Sequence, residues 1–243
     1  MRLHGRWYCG PECFELAAQD EFLRLRPALE NGQKKTHRLP IGLLLLSRGK
    51  INDAQLKQAL TMQREKGTGK IGKFLQEIQA VTEQDITKGL AAQWGCPVYP
   101  LVGARDFIQY ASLLPLTMLE TGRMLPVRYL RLQQILYLAF VEGIDRTALY
   151  AVEQMLHLRT IPCIVSESEH HGAIEELRHV EELQTTVFES PFEPLEMART
   201  TRSYAWQVGA KDVSMVRSGQ FIWVRLQNSQ GSKDILFQSL ANV

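Results

Sequence analysis

Arg38-Leu39-Pro40-Ile41-Gly42-Leu43-Leu44-Leu45-Leu46-Ser47-Arg48-Gly49-Lys50-Ile51-Asn52-Asp53-Ala54-Gln55-Leu56-Lys57-Gln58-Ala59-Leu60 is a helical pattern that the chain uses twice. Ile41, Gly42, Leu45, Ile51, Leu56, Leu60 and Gln63 recur thirty residues later as Ile71, Gly72, Leu75, Val81, Ile86, Leu90 and Gln93. Every position keeps its residue class. Any two amphipathic helices share apolar spacing, because both bury one face. A Gly and a Gln held at matching points are harder to obtain that way, so the stretch reads as an internal repeat. Asp53 is the expected N-cap of a helix carrying Leu56, Ala59, Leu60 and Gln63 on one face. Thr82 with Asp85 is the corresponding cap pair for a helix carrying Ile86, Leu90 and Gln93.

Before the repeat lies a short aromatic start with two cysteines, an expected helix over 14–29, and a basic, Asn-Gly-containing linker over 31–38. After Pro97 the texture changes. Residues 123–132 and 134–141 read as strands, and Asp145 as the cap of a helix to His157 that buries Leu149, Val152 and Met155. A third strand over 160–166 and a polar helix over 168–178 follow. This β-β-α-β-α order predicts a small sandwich within an α+β protein. Pro191 and Pro194 break any continuing helix. A helix to about Gly209 and three strands, over 212–217, 220–226 and 234–238, close the chain. The expected segments are 1–37, a helical repeat over 38–100, an α+β unit over 101–180 and a helix-plus-strand extension over 181–243.

The 243 residues are 45% hydrophobic and 22% charged, with 28 Lys+Arg against 26 Asp+Glu. Such values exclude a disordered or collagen-like chain and a strongly basic tail, so nucleic acid is not an expected partner. Four cysteines are too few for a disulfide framework in a chain this long, and the expected compartment is a reducing cytoplasm. No apolar run follows the opening charges as in a secretory signal. The longest aliphatic stretch, 41–46, is far shorter than the roughly 20 residues that cross a bilayer, so membrane insertion is not expected.

Gly67-Thr68-Gly69-Lys70-Ile71-Gly72-Lys73-Phe74 fits the outline of a phosphate-binding Gly-rich loop until its last position. That position needs a magnesium-binding hydroxyl, and the loop follows a helix rather than a strand. Cys9 and Cys13 flank Gly10-Pro11 and are candidate zinc ligands, with His4 a candidate third. His170-His171 lies in a polar helix and reads as a solvated face. Cys96 and Cys163 read as small buried hydrophobes. No hydrolase elbow, zinc-protease helix or paired-carboxylate arrangement is visible, so no catalytic residue is assigned.

The tandem pattern resembles the N-terminal domain of type II secretion and type IV pilus assembly ATPases, the GspE N-terminal or MshEN type, built on copies of R-L-G-x-x-L-V-x-x-G. Cys96-Pro97-Val98-Tyr99-Pro100 is similar to that family's exit strand, and the likeness spans about 38–176. It implies a groove for cyclic di-GMP formed by Ile41, Gly42, Leu45, Leu46, Gly49, Leu56 and Leu60 from the first copy. Lys70, Ile71, Gly72, Leu75, Ile86 and Leu90 would serve from the second. Pro40 and Lys70 stand where the family's two Arg would be, and Gln76 and Gln79 replace its Val and Gly. The family's ATPase part would carry a Walker loop, and none follows before Val243. The implied protein is a non-catalytic regulatory or adaptor module that binds a secretion or pilus assembly protein, such as an inner-membrane platform component. A zinc-ribbon-like cytoplasmic regulator with the repeat as scaffold, and an enzyme of unfamiliar type, are the alternatives.

Overall fold

The computed structural model describes residues 1–26, 38–101, 103, 106–180, 185–189 and 192–238. The linker expected over 31–38 lies outside these residues except for Arg38, as does Pro191. The chain opens with β1 (Arg2–Leu3) and β2 (Arg6–Trp7). It continues into α1 (Pro11–Leu25), whose Pro11 suits a first turn that has no use for its missing N–H. α1 buries Phe14, Ala18 and Phe22, one residue per turn.

The repeat folds as α2 (Ile41–Ser47), α3 (Asp53–Lys66), α4 (Ile71–Glu77) and α5 (Glu83–Trp94), a short and a long helix per copy. Asn52 caps α3, one residue earlier than Asp53. Its side chain accepts the Gln55 N–H at 2.9 Å while the Gln55 side chain accepts the Asn52 N–H at 2.9 Å. Asp53 is instead the first helical residue, where its charge faces the positive end of the helix dipole. Thr82 and Asp85 form the expected reciprocal cap of α5. α2 packs chiefly on α5, and α4 on α3.

Each recurring residue now has a physical role. A Cβ on Gly42 would stand 2.8 Å from Leu56 Cδ1, and one on Gly72 would stand 3.4 Å from Ile86, so glycine lets each short helix approach its own long helix. Leu45, Leu75, Ile51 and Val81 form the buried centre. The paired glutamines close the unit reciprocally. Gln63 Nε2 donates to the Gly69 carbonyl at 2.8 Å, and Gln93 Nε2 donates to the Leu39 carbonyl at 2.7 Å. Donor and acceptor are both displaced by thirty, and each bond ties one copy to the backbone leading into the other copy's short helix.

α6 (Phe107–Ala111) and α7 (Leu116–Thr121) precede β3 (Met124–Leu130), β4 (Ile135–Phe140), α8 (Arg146–Leu156), β5 (Arg159–Ile164) and α9 (Glu167–Arg178). β3 pairs antiparallel with β4, which pairs parallel with β5 through the crossover helix α8. Asp145 caps α8 by accepting the Thr147 and Ala148 N–H groups. The strand expected at 96–100 contributes one parallel bridge, Val98 to Ile164.

β6 (Thr186–Phe188), α10 (Pro194–Gln207), β7 (Asp212–Ser218), β8 (Phe221–Gln227) and β9 (Ser232–Gln238) complete the chain. The second sheet has the order β2-β1-β7-β8-β9-β6, so the two ends of the chain share one sheet. Ile222, Val224 and Leu226 of β8 pack with Phe14 and Phe22 of α1 and Met197 and Ala205 of α10. Phe221 and Trp223 face the opposite core, with Met118, Phe140 and Ala148. A strand covered on both faces reads as an unbroken apolar run. Its one charge, Arg225, is 4% exposed. It is held by Asp234 at 2.6 and 2.7 Å and by the Leu113 carbonyl at 2.8 Å. The fold is α+β with two sheets, and among the described residues no helix is long and apolar enough to cross a membrane.

Gly49 ends the turn after α2 at φ 65°, and its counterpart Gln79 occupies the same left-handed region at φ 55°. A side chain there is strained, whereas no atom crowds a Cβ at Gly49. Gln79→Gly is therefore expected to stabilise the protein by about 1 kcal/mol, read as a higher urea midpoint, and Gly49→Gln to destabilise it comparably. Asp85 supplies a second test. Hydrogen bonds from Lys50 and Thr82 hold its carboxyl at about 2, below the ordinary 3.8. A carboxylate held down stabilises the fold above its ordinary value and loses that contribution as the pH falls towards 2. Asp85→Asn should lower stability at neutral pH, and the difference from wild type should vanish over that acid window.

Candidate functional site

Between the second repeat copy and the α+β unit lies a cleft of about 330 Å³. Ile41, Ile86, Leu90 and Val141 supply its apolar walls, with Gly72 leaving room between them. Charges crowd the rim: Lys70, Lys73 and Arg123 against Glu83, Glu142 and Glu167.

Those charges are mutually engaged across the cleft. The Lys70 ammonium pairs with Glu142. Arg123 reaches Glu167 at 2.7 Å and Glu142 at 3.6 Å. Glu83, at the start of α5, accepts the Ser168 N–H at 2.8 Å and its hydroxyl at 2.6 Å, capping the first turn of α9. Burial holds the Lys70 ammonium below its ordinary pKa, and the nearby Arg123 charge adds to the effect. The Arg123 hydrogen bond holds the Glu167 carboxyl below its usual range. Arg123 itself sits at φ 46°, on the turn between α7 and β3, and its Nε is buried without a hydrogen-bond partner. The site is an apolar slot beneath a rim of three cations and three carboxylates.

The residues implied by the resemblance divide into three groups. Ile41, Lys70, Gly72, Ile86 and Leu90 line the cleft. Gly42, Leu45, Leu56 and Leu75 are buried within the repeat, and Ile71 is packed against that core, so they build the unit rather than its cleft. Leu46 packs against the same core, and Gly49 and Leu60 lie on the first copy, away from the cleft, with Leu60 37% exposed. Arg123, Val141, Glu142 and Glu167 come from the α+β unit. No spacing in the sequence points to them, because their role depends on contacts between distant residues, 72 apart for Lys70–Glu142 and 44 for Arg123–Glu167.

Arg38 does not replace the arginine missing at Pro40. Its guanidinium lies 3.2 Å over the Trp94 ring, at the junction of the two units. The Gly-rich loop over 67–74 links α3 to α4, and Phe74 is buried in the repeat core where a phosphate loop would need its hydroxyl. Cys9 and Cys13 do meet, with sulfurs 3.6 Å apart. His4 instead stands 3.8 Å from Glu21, and no group of three metal-ligating side chains occurs among the described residues. His170 is not on a solvated face. It is 7% exposed, and burial, with Arg123 nearby, holds its imidazole below the ordinary pKa.

No protein-family model matches the chain, and no curated protein matches it. Among solved structures, the chain is similar to MshE with cdg, at 26% identity over 58% of this chain and 99% of that one, with a TM-score of 0.49. It is also similar to the N-terminal domain of XpsE in two crystal forms. One is 24% identical over 56% of this chain and 91% of that one, with a TM-score of 0.41. The other is 25% identical over 60% and 98%, with a TM-score of 0.34.

The cleft depends on how Trp94 seats the repeat on the α+β unit. A Cβ on Gly143 would stand 2.6 Å from Trp94 Cζ2, so the ring must move if any side chain is added there. Gly143→Ala is expected to cost about 1–3 kcal/mol of stability and to shift tryptophan emission, measured by urea unfolding followed by fluorescence.

Proposed function

We propose that this protein is a non-catalytic binding module of the kind that precedes type II secretion and type IV pilus assembly ATPases. Its cleft takes a cyclic dinucleotide of the cyclic di-GMP class, and a protein of the secretion or pilus machinery docks on it. One observation carries the reading. Lys70, the second copy's counterpart of the family arginine, stands on the rim of an apolar cleft floored by Ile86 and Leu90 of the same copy. A guanine ring fits between those side chains, and a phosphate fits the rim where Lys70, Lys73 and Arg123 converge. Lysine offers a point charge in place of a bidentate fork, so it attracts the phosphate without stacking on the base.

Glu142 and Glu167 oppose this binding, since they already occupy the cations that a phosphate would use. The ligand must therefore exchange with carboxylates, which sets a modest affinity. For the protein partner, the first copy presents Leu39, Leu43 and Leu60, 49%, 46% and 37% exposed. Such exposed leucines suit a partner with a complementary apolar face.

Calorimetric titration with cyclic di-GMP checks the ligand. Binding is expected in the wild type, weakened about tenfold in Lys70→Ala and tightened about tenfold in Glu142→Gln, which removes the competing charge. Absence of heat at high micromolar ligand in both the wild type and Glu142→Gln rules the dinucleotide out. Chromatography of the ligand after prolonged incubation should return it intact, and a linear product would overturn the non-catalytic assignment.

A further inference from the structure

We infer that Cys9 and Cys13 form a redox-active dithiol that exchanges two electrons with low-molecular-weight disulfides, Cys9 reacting first and Cys13 resolving the intermediate. This site lies at the chain ends, apart from the cleft, and does not rest on the function proposed for it.

Three observations support it. First, the two sulfurs are 3.6 Å apart and both residues are exposed. Cys9 precedes the helix and Cys13 sits in its first turn, where the Phe14 N–H donates to the Gly10 carbonyl and fixes the intervening Gly10-Pro11 turn. A disulfide needs these sulfurs to close from that distance to about 2.05 Å. Second, the competing role is unfilled, because neither His4 nor any other ligand completes a metal site among the described residues. Third, the other two cysteines contrast with this pair. Cys163 is fully buried with its thiol pushed up to about 12, and Cys96 is half-buried with its thiol also raised. Both are protected from oxidants by position and protonation.

The surroundings set the order of events. Cys9 lines a cavity of about 610 Å³ with Trp7, Tyr8, Pro11 and Trp206. Trp7 and Trp206 are 71% and 78% exposed. Cys13 does not line this cavity. Its thiol is held above its ordinary pKa, chiefly by the hydrogen bond with Cys9. An incoming disulfide therefore meets Cys9, with the aromatic wall to receive its carbon skeleton.

The Cys9 thiolate attacks one sulfur of a disulfide RSSR, forming a Cys9–SR bond as the S–S bond breaks and releasing RS⁻. Cys13 loses its proton to solvent, and its thiolate attacks the Cys9 sulfur. The Cys9–Cys13 bond forms, and the second RS⁻ departs. The protein is oxidised by two electrons, RSSR is reduced to two thiols, and a dithiol reductant reverses both steps.

The test uses the full chain with oxidised glutathione as the probe. Samples are alkylated at intervals and read by intact mass and peptide mapping. The wild type is expected to lose about 2 Da, mapped to the peptide that holds Cys9 and Cys13, and to recover on addition of a dithiol. Cys13→Ser should accumulate a single glutathione on Cys9, about tenfold faster than Cys9→Ser acquires one on Cys13. Wild-type protein carrying two stable glutathiones, or keeping both thiols free for alkylation, would overturn the inference. So would stoichiometric zinc in the purified protein that is lost from the Cys9→Ser/Cys13→Ser double variant.

Discussion

A seven-residue helix cannot hold itself in water, and the repeat contains two of them. Nucleating a helix orders several residues for one hydrogen bond, so α2 and α4 persist because each lies on a long helix. The solution is an exchange, in which α2 rests on α5 and α4 on α3. Gln63 and Gln93 tie the exchange at its two ends, and Gly42 and Gly72 let the helices come close enough to exclude water. Neither copy is complete without the other. Everything that the cleft requires of the repeat, including the position of Lys70 at the start of α4, follows from that mutual dependence.

The repeat has two outer faces, and the chain treats them differently. Leu90 packs towards the α+β unit, and its counterpart Leu60 is left exposed. The first copy keeps its leucines available, while the second spends the same positions on a cleft wall. Internal repetition thus puts matching positions in two settings, one open at Leu60 and one against the α+β unit at Leu90. The Lys70–Glu142 ion pair joins the second copy to the α+β unit across the rim, and it is the contact that the proposed phosphate would have to displace.

The remaining third of the molecule is organised by β8, which has a hydrophobic core on each face. One face closes the chain's two termini into a single unit, and the other seats that unit on α8 and its neighbours. Arg225 is tolerated there because Asp234 and the Leu113 carbonyl satisfy its donors, and Trp223 adds a further hydrogen bond to Asp234 at 2.9 Å. Removing one partner would strand a buried charge. The pairing consequently fixes the register in which the sheet meets the rest of the protein.

Local chemistry determined much of this from the sequence. The thirty-residue displacement, the Thr82–Asp85 cap, the Asp145 cap, the strands on either side of the 131–133 turn and the final three strands all depend on neighbours within a few residues, and all are present. Asn52 displaced Asp53 as a cap because either side chain can accept the first amides and only the Gln55 reciprocation decides between them. The short strands β1, β2 and β6 carry too few residues for any period to show. His170 was misplaced for a different reason: a polar helix signals exposure only until another helix covers it. Tertiary structure alone decided which leucines build the repeat and which line the cleft, joined the chain's two ends in one sheet, and brought Arg123, Glu142 and Glu167 over Lys70. Periodicity records which face of a helix is apolar, but what that face meets is settled by contacts across the whole chain.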